Sequence, residues 1–182
     1  TDLLLWPTVT MLRDETYRQD WAARFDAVLA DEFQDVNRLQ FLWLRALARD
    51  HGELFVVGDD AQSIYGWRGA NVAIIRNFLR EFPDGRMIAL EENFRSTGHI
   101  LAAANAVIAG DSSRLEKTLY TASGEGAPLE IVSWAGSLEE AQGIAAEIGR
   151  RAAEGVPYEE MAILYRYNFL SRIVEEQLLR SK

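Results

Sequence analysis

The sequence predicts an α/β protein in which parallel sheets are flanked by helices. Short apolar runs of about four residues alternate along the chain with longer runs whose apolar residues recur at helical spacing. Apolar residues make up 48% of the 182 residues, which is enough for a packed core. Polar or glycine-rich segments follow the first three short runs, as they do at the carboxyl ends of strands in parallel sheets.

The first half of the chain contains three predicted strands and two predicted helices. The strands are residues 27–30, 54–57 and 87–90. Apolar residues at helical spacing predict helices over about 39–47 and 72–79, ended by Gly52 and near Pro83.

The second half repeats this alternation. A helix is predicted over about 100–108, and strands are predicted at 129–132 and 161–165. Ser137 and Glu140 have the spacing of a capping box, which predicts a helix that runs to about residue 154. Asn168 is predicted to cap a last helix. On composition, residues 105–128, with three glycines, are the best linker candidate.

Charge and composition exclude several classes of protein. The chain has no cysteine, and its net charge of −9 is spread over two acidic halves. Simple electrostatic attraction to a phosphate backbone is therefore not expected, so any DNA binding must come from stacking and a few placed groups. No apolar run approaches the roughly 20 residues that span a bilayer. The first residues show no leader pattern, and we expect an interior piece of a longer, cytoplasmic protein without membrane partners.

An acidic pair, Asp31 and Glu32, directly follows the first predicted strand. One carboxylate at such a position could hold a magnesium ion through water, while the other orients or deprotonates an attacking water. A solvated acidic loop, or charges favoured at the start of a helix, explains the pair equally well.

A glycine-rich segment with two large rings, residues 58–70, follows the second predicted strand. Gln62 both donates and accepts hydrogen bonds, which suits contact with a terminal phosphate and its water. Tyr65 and Trp67 could stack on unpaired bases, and Arg68 could meet a phosphate. Alternatively, the rings fill the core beneath the loop, which composition favours for Tyr65, and Arg68 is a solvated cation.

Phe94 and Arg95 follow the third predicted strand. The planar guanidinium of Arg95 could contact a transferring phosphoryl group, and Phe94 could stack on a purine. Taken in isolation, the segment is better explained by an ion pair of Arg95 with Glu91 or Glu92 and by a phenylalanine in the core.

Together the three segments resemble the UvrD/PcrA/Rep family of superfamily 1 DNA helicases. DEFQD at residues 31–35, VVGDDAQSIYGWRGA at 56–70 and LEENFRST at 90–97 match the family's Walker B, third and fourth motifs in order, spacing and wording. Residues 2–5 and 162–179 also look like family segments, so the resemblance covers nearly the whole chain.

The resemblance implies parts of two RecA-like (P-loop NTPase) domains, residues 1–95 and 96–182, in a motor that uses Mg-ATP to move 3′ to 5′ on single-stranded DNA. It implies that Asp31 holds Mg²⁺ through water, Glu32 is the catalytic base, Gln62 and Arg95 contact the γ-phosphate, Phe94 stacks on adenine, and Trp67, Tyr65 and Arg68 form the DNA-binding loop.

One family element is missing from the sequence, the phosphate-binding loop G-x-x-x-x-G-K-[S/T]. The chain has two lysines: Lys117 follows Glu116, and Lys182 is the last residue. We therefore expect helicase segments upstream and downstream of this chain, and we expect the chain alone to be inactive.

Three departures from the family pattern are Phe94 for tyrosine, Ala61 for aspartate and Glu92 for glutamine. None removes a residue assigned to chemistry, although Glu92 adds a negative charge near Arg95. Two alternatives stay open: the helicase portion of a RecB- or AddA-like nuclease–helicase, and a non-motor module that binds DNA or a partner.

Overall fold

The computed structural model describes residues 2–50 and 52–180. In chain order the elements are α1 (Asp2–Arg13), α2 (Glu15–Ala22), β1 (Val28–Ala30), α3 (Arg38–Ala48), β2 (Leu54–Val56), α4 (Ala73–Arg76), α5 (Phe78–Glu81), α6 (Gly98–Ile108), α7 (Ser137–Ala153) and α8 (Ser171–Arg180). The chain divides into two compact units, residues 1–128 and 129–182. The predicted boundary between family domains after Arg95 lies inside the first unit and stays a prediction.

β1 and β2 form a parallel pair in which Ala30 lies opposite Val56. Helix α3 connects them, as a parallel pair requires a crossover. Hydrogen bonds continue beyond the strand ends: Val57 N donates to Ala30 O at 2.8 Å, and Phe33 N donates to Val57 O at 2.9 Å. The segments that follow the two strands are therefore neighbours.

Two apolar clusters form the core of the first unit. One consists of Met11, Val28, Ala46, Leu47 and Ala48, and the other of Phe33, Phe41, Ile74 and Ile75. Phe33 is fully buried. Because burial of such a side chain contributes roughly 1.5–3 kcal/mol, this ring anchors the turn that follows β1.

The helices α1 and α2 were not predicted from the sequence. Asp14 caps α2 by accepting a hydrogen bond from Tyr17 N at 3.0 Å. Arg18 is almost fully buried and donates to Asp50 Oδ2 at 2.6 Å, which ties α2 to the end of α3. An unpredicted capping box, Asn37 with Gln40, begins α3.

Three of the predicted strands are not formed. Residues 87–90, 129–132 and 161–165 lie outside regular strands, and beyond β1 and β2 the described residues contain only one isolated parallel bridge, between Glu92 and Tyr120. A strand needs a hydrogen-bonding partner along its length, and these segments find none in the described chain. Most of their apolar side chains stay exposed, for example Ile131. The α/β class with a parallel pair is confirmed, but these strand predictions were wrong.

The predicted helices are present, with three corrections. The helix predicted over 72–79 is split into α4 and α5 at Asn77, whose side-chain amide donates to Ala73 O at 2.8 Å and competes with the helical bonds. Ser137 is the first residue of α7 and Gly136 is its cap, so the predicted capping box was wrong. Asn168 begins a short 3₁₀ turn, and α8 starts only at Ser171, so Asn168 does not cap it.

The second unit is built around α7 and α8. Ala141 and Ala145 are buried on α7. Trp134 packs against Gly143, where a Cβ would lie 2.2 Å from the indole ring. In the described part of the chain, every helix is too short or too polar to cross a bilayer.

Candidate functional site

Asp31 and Glu32 lie at the carboxyl end of β1, and both are exposed. Glu32 has φ 49° and ψ 44°, the one left-handed residue other than glycine in the described chain. This conformation costs about 1–3 kcal/mol and is held by its surroundings. Asp31 Oδ1 accepts a hydrogen bond from Glu32 N at 2.8 Å, and Glu32 O accepts one from Asp35 N at 2.9 Å. The backbone strain is thus concentrated on the predicted catalytic base.

The loop after β2 holds Gln62 through Asp59. Asp59 Oδ1 accepts from Ala61 N at 2.9 Å, which caps the 3₁₀ turn Asp60–Gln62. Asp59 Oδ2 accepts from Gln62 Nε2 at 2.8 Å. The side chain of Gln62, the predicted sensor of the terminal phosphate, is therefore held by the carboxylate of Asp59. Asp59 lies two residues after Val57, whose backbone N donates to Ala30 O in β1.

Gln34 joins this loop to the acidic pair. Its amide Nε2 donates to Glu32 Oε2 at 2.7 Å, and its Oε1 accepts from Asp59 N at 3.0 Å. The side chain is buried. Glu32 and Gln62 are therefore connected by hydrogen bonds through Gln34 and Asp59. No role was predicted for Gln34 from the sequence, although an amide that both donates and accepts, placed inside an acidic motif, is a signal for such a link.

Two glycines shape the loop for different reasons. A Cβ on Gly58 would lie 2.7 Å from Gln34 Oε1 and 2.8 Å from Ile75 Cδ1, so the backbone approaches too closely for any side chain. Gly69 has φ 90°, which favours glycine.

The rings of the loop do not fill the core. Trp67 is 81% exposed and Tyr65 is 37% exposed, so the alternative that both are buried was wrong. Their ring centroids are 6.3 Å apart. The guanidinium of Arg68 lies 5.5 Å from the Tyr65 ring and 5.7 Å from the Trp67 ring. The three side chains form one exposed patch, the aromatic patch, with a positive charge beside two π faces.

Phe94 and Arg95 are also exposed, Phe94 to 82%. Asn93 Oδ1 accepts hydrogen bonds from Arg95 N at 3.0 Å and Ser96 N at 2.7 Å, which fixes the turn. Glu91 Oε1 is occupied by Thr118 N at 2.8 Å. Ion pairs within residues 2–50 and 52–180 do not include Arg95. The alternatives of a paired arginine and a core phenylalanine were therefore wrong.

The structure brings some of the predicted residues together and leaves others apart. Glu32 and Gln62 share one network, whereas no hydrogen bond or ion pair among the described residues joins Arg95 to either of them. That Arg95 reaches the same phosphate stays a prediction.

The acidic motif fits a magnesium ion held by few protein oxygens. No group of three or more histidine, cysteine or acidic side chains in the described chain is arranged to hold a metal by itself. Mg²⁺ bound with a nucleotide needs only one or two carboxylates, because phosphates and waters complete its shell. Asp31 is exposed, and its Oδ2 is not engaged in the hydrogen bond that Oδ1 accepts. Oδ1 of Asp35, a further carboxylate of the motif, is buried and has no hydrogen-bond donor among the described residues.

Comparison with known proteins assigns both parts of the chain to one family. The family model of the UvrD/REP helicase N-terminal domain matches residues 1–83, and that of the UvrD-like helicase C-terminal domain matches residues 88–182. The chain belongs to the UvrD/Rep helicase family. In this family, the acidic motif and the aromatic patch fall in the N-terminal domain, and Phe94 and Arg95 fall in the C-terminal domain.

Several UvrD/Rep helicases are similar to the chain over most of its length. DNA helicase II of Escherichia coli is 44% identical over 180 residues, which are 99% of this chain and 25% of that protein. The ATP-dependent DNA helicase Rep of Escherichia coli is 38% identical over 182 residues, 27% of its length, and PcrA of Staphylococcus epidermidis is 42% identical over 158 residues, 22% of its length. The chain thus spans about a quarter of these relatives.

Proposed function

We propose that this chain is the segment of an ATP-dependent 3′–5′ DNA helicase in which hydrolysis of ATP is linked to single-stranded DNA. The observation that carries the proposal is the hydrogen-bonded path from Glu32 through Gln34 and Asp59 to Gln62, on the loop that presents Trp67 to solvent. Relatives at 38–44% identity are named as DNA helicases, two of them as ATP-dependent, which supports a motor over a non-motor module.

The acidic pair divides two tasks between its carboxylates. Asp31 holds Mg²⁺ through water, and the ion, when bound, neutralises charge on the β- and γ-phosphates. Glu32 accepts a proton from the water whose oxygen forms a bond to the γ-phosphorus, while the bond from that phosphorus to the bridging oxygen breaks and ADP leaves. Since Gln34 donates to Oε2 of Glu32, the other carboxylate oxygen would accept the proton.

Gln62, Arg95 and Phe94 complete the nucleotide site. Gln62 hydrogen-bonds the γ-phosphate, and the guanidinium of Arg95 contacts the same group from the second RecA-like domain. Phe94 is exposed and stacks on adenine. The two RecA-like domains, to which residues 1–95 and 96–182 belong, close on ATP and relax after hydrolysis.

The aromatic patch binds the DNA strand. Trp67 stacks on a base, Tyr65 supports it, and Arg68 lies near the strand. Because Gln62 and the patch belong to one loop, loss of the γ-phosphate changes the grip on the base. Alternating grip and release moves the protein along the strand.

The proposal is tested in the full-length protein. We expect single-stranded DNA to stimulate its ATP hydrolysis and ATP to drive unwinding of duplexes with a 3′ tail. Glu32→Gln should lower kcat by about 10²- to 10⁴-fold while nucleotide binding persists, because the base is lost and the pocket is not. The exposed Glu175→Gln is the matched control. An unchanged kcat would remove Glu32 from the mechanism, and unwinding from a 5′ tail would contradict the polarity.

The 182-residue chain alone should not hydrolyse ATP above background. It has no phosphate-binding loop, whose amides and lysine stabilise the triphosphate. DNA-stimulated turnover by the purified chain would contradict this part of the proposal.

A further inference from the structure

Two adjacent aspartates of the loop after β2 bind the segment 111–117. The ammonium of Lys117 donates a hydrogen bond to Asp59 Oδ1 and lies 4.0 Å from Asp60 Oδ1. Leu115 N donates to Asp60 Oδ2 at 3.0 Å. The side chain of Asp60 is 1% exposed and that of Lys117 is 19% exposed, so these charges interact with little solvent screening.

Arg76 fastens the same segment from its other end. Its Nε donates to Asp60 Oδ2 at 2.8 Å, and its two terminal nitrogens donate to Asp111 Oδ2 at 2.7 Å and Ser113 Oγ at 2.5 Å. Charge-assisted bonds of this kind are short and strong. The segment is therefore held without Lys117, which leaves the lysine free for a separate task.

That task concerns Gln62, because Lys117 binds the carboxylate that holds it. Asp59 accepts from Lys117 through Oδ1 and from Gln62 through Oδ2. Burial alone would raise the pKa of Asp59, but the hydrogen bonds from Lys117 and Gln62 outweigh it and hold this pKa below its ordinary value. Asp59 is thus ionised and oriented by one cation.

The backbone around Lys117 also reaches the turn that carries Arg95. Tyr120 N donates to Glu91 O at 3.0 Å, Asn93 N donates to Tyr120 O at 2.7 Å, and Asn93 caps the turn. The segment from Lys117 to Tyr120 therefore contacts both the Gln62 loop and the Arg95 turn.

The bond between Lys117 and Asp59 joins the two family domains. Asp59 belongs to the N-terminal domain match, residues 1–83, and Lys117 to the C-terminal domain match, residues 88–182. The carboxylate that orients Gln62 is thus set by a cation that the other domain supplies.

We propose that Lys117 is a positioning residue for ATP hydrolysis, which orients Gln62 through Asp59 and couples it to the C-terminal family domain. This inference rests on the proposed function. The amide nitrogen of Gln62 carries two hydrogens, so it can keep its bond to Asp59 Oδ2 while it donates to the γ-phosphate.

The test is a double-mutant cycle in the full-length protein. Lys117→Met should lower the DNA-stimulated kcat about 10- to 100-fold and change KM for ATP less than about threefold, because the orientation of Gln62 matters in the transition state. Lys117→Arg should restore kcat to within about threefold. In a Gln62→Ala background, Lys117→Met should cost less than about twofold, because the lysine acts through that glutamine. Arg172→Met, on an exposed ion pair of α8, is the charge-matched control.

The inference would be overturned if the losses in kcat of Lys117→Met and Gln62→Ala multiply in the double variant. A kcat for Lys117→Met within twofold of the parent's would overturn it as well. Urea unfolding is measured for every variant, and if Lys117→Met does not fold, Lys117→Gln is carried through the same cycle. An inactive parent, or a Glu32→Gln variant with full activity, would instead refute the proposed function. These outcomes are distinct from those that test the role of Lys117.

Discussion

Gln34 donates a hydrogen bond to Glu32 at 2.7 Å from a side chain that is 2% exposed. Its carbonyl oxygen accepts from the backbone of Asp59. One buried amide therefore orients the predicted catalytic base and fixes the loop of the predicted phosphate sensor. The predicted hydrolysis of ATP at Glu32 and the predicted contact of Gln62 with the γ-phosphate are therefore linked through the side chain of Gln34.

Gln34→Leu should break this link. It leaves the half-buried Asp59 N without its acceptor and frees Glu32 to rotate, so we expect a loss of about 1–3 kcal/mol in the free energy of unfolding. Urea unfolding of the chain measures the loss, and kcat of the full-length protein should fall as well. Gln19→Leu, on the exposed face of α2, is the control. Equal unfolding midpoints for the Gln34 variant and the parent would contradict the link.

The strained backbone of Glu32 predicts an unusual order of stabilities. Glycine adopts the left-handed region freely, whereas alanine pays about 1–2 kcal/mol there, so Glu32→Gly should be more stable than Glu32→Ala by about 1 kcal/mol. Both variants lack the carboxylate, and both should be inactive in the full-length protein. Thermal or urea unfolding decides the order, and a more stable alanine variant would show that the conformation is not strained.

Trp67→Ala should uncouple ATP hydrolysis from DNA. Loss of one base stack is worth about 1–3 kcal/mol, which is about 5- to 150-fold in affinity for a single strand. We expect hydrolysis without DNA to persist in the full-length protein and its stimulation by oligonucleotides to require much higher concentrations. Trp6→Ala, an exposed ring on α1, is the control. Equal stimulation of variant and parent would remove Trp67 from the DNA site.

Acid should weaken the contacts of the segment 111–117. The pKa of Asp111 lies at about 2, because Ser113 donates two hydrogen bonds to it and Arg76 another. The pKa of Asp111 in the folded protein is below its ordinary value of 3.8, so the ionised carboxylate stabilises the fold above pH 3.8. This stabilisation is lost as the pH falls from 3.8 through the pKa of the folded protein.

Urea midpoints between about pH 5 and pH 2 test this expectation. As the pH falls, the urea midpoint should decrease less steeply for Ser113→Ala than for the parent. Ser133→Ala, at an exposed serine, is the control and should show the slope of the parent. Identical slopes for all three chains would show that Asp111 titrates with its ordinary pKa.

The positions of the first two site segments could be predicted from the sequence, because each depends only on a short stretch of neighbouring residues. A short apolar run followed by a polar turn predicts that Asp31 directly follows a strand and that Gln62 lies in the loop after one, and β1 and β2 confirm both. The strand predicted before Phe94 and Arg95 is not formed. The exposure of Tyr65 could not be predicted from the sequence, since aromatic side chains occur both in protein cores and on surfaces.

Non-local pairing could not be predicted in the same way. Residues 87–90 and 161–165 have strand-like composition, but a strand also needs a neighbour, and composition does not say where that neighbour lies. The link through Gln34 likewise depends on the strand pairing that brings Asp59 N within hydrogen-bond distance of its side chain. The Lys117 contact spans 58 residues of sequence, and a charge pair at that separation has no local signature.

Glu32, Gln62 and Arg95 are proposed to surround one γ-phosphate. The most direct measurement is a structure of the full-length protein with Mg²⁺, single-stranded DNA and a non-hydrolysable ATP analogue. We predict the side-chain amide of Gln62 and the guanidinium of Arg95 within hydrogen-bond distance of γ-phosphate oxygens, about 2.7–3.2 Å, and Glu32 beside the attacking water. A bound nucleotide with Arg95 or Gln62 directed away from the γ-phosphate would contradict the account.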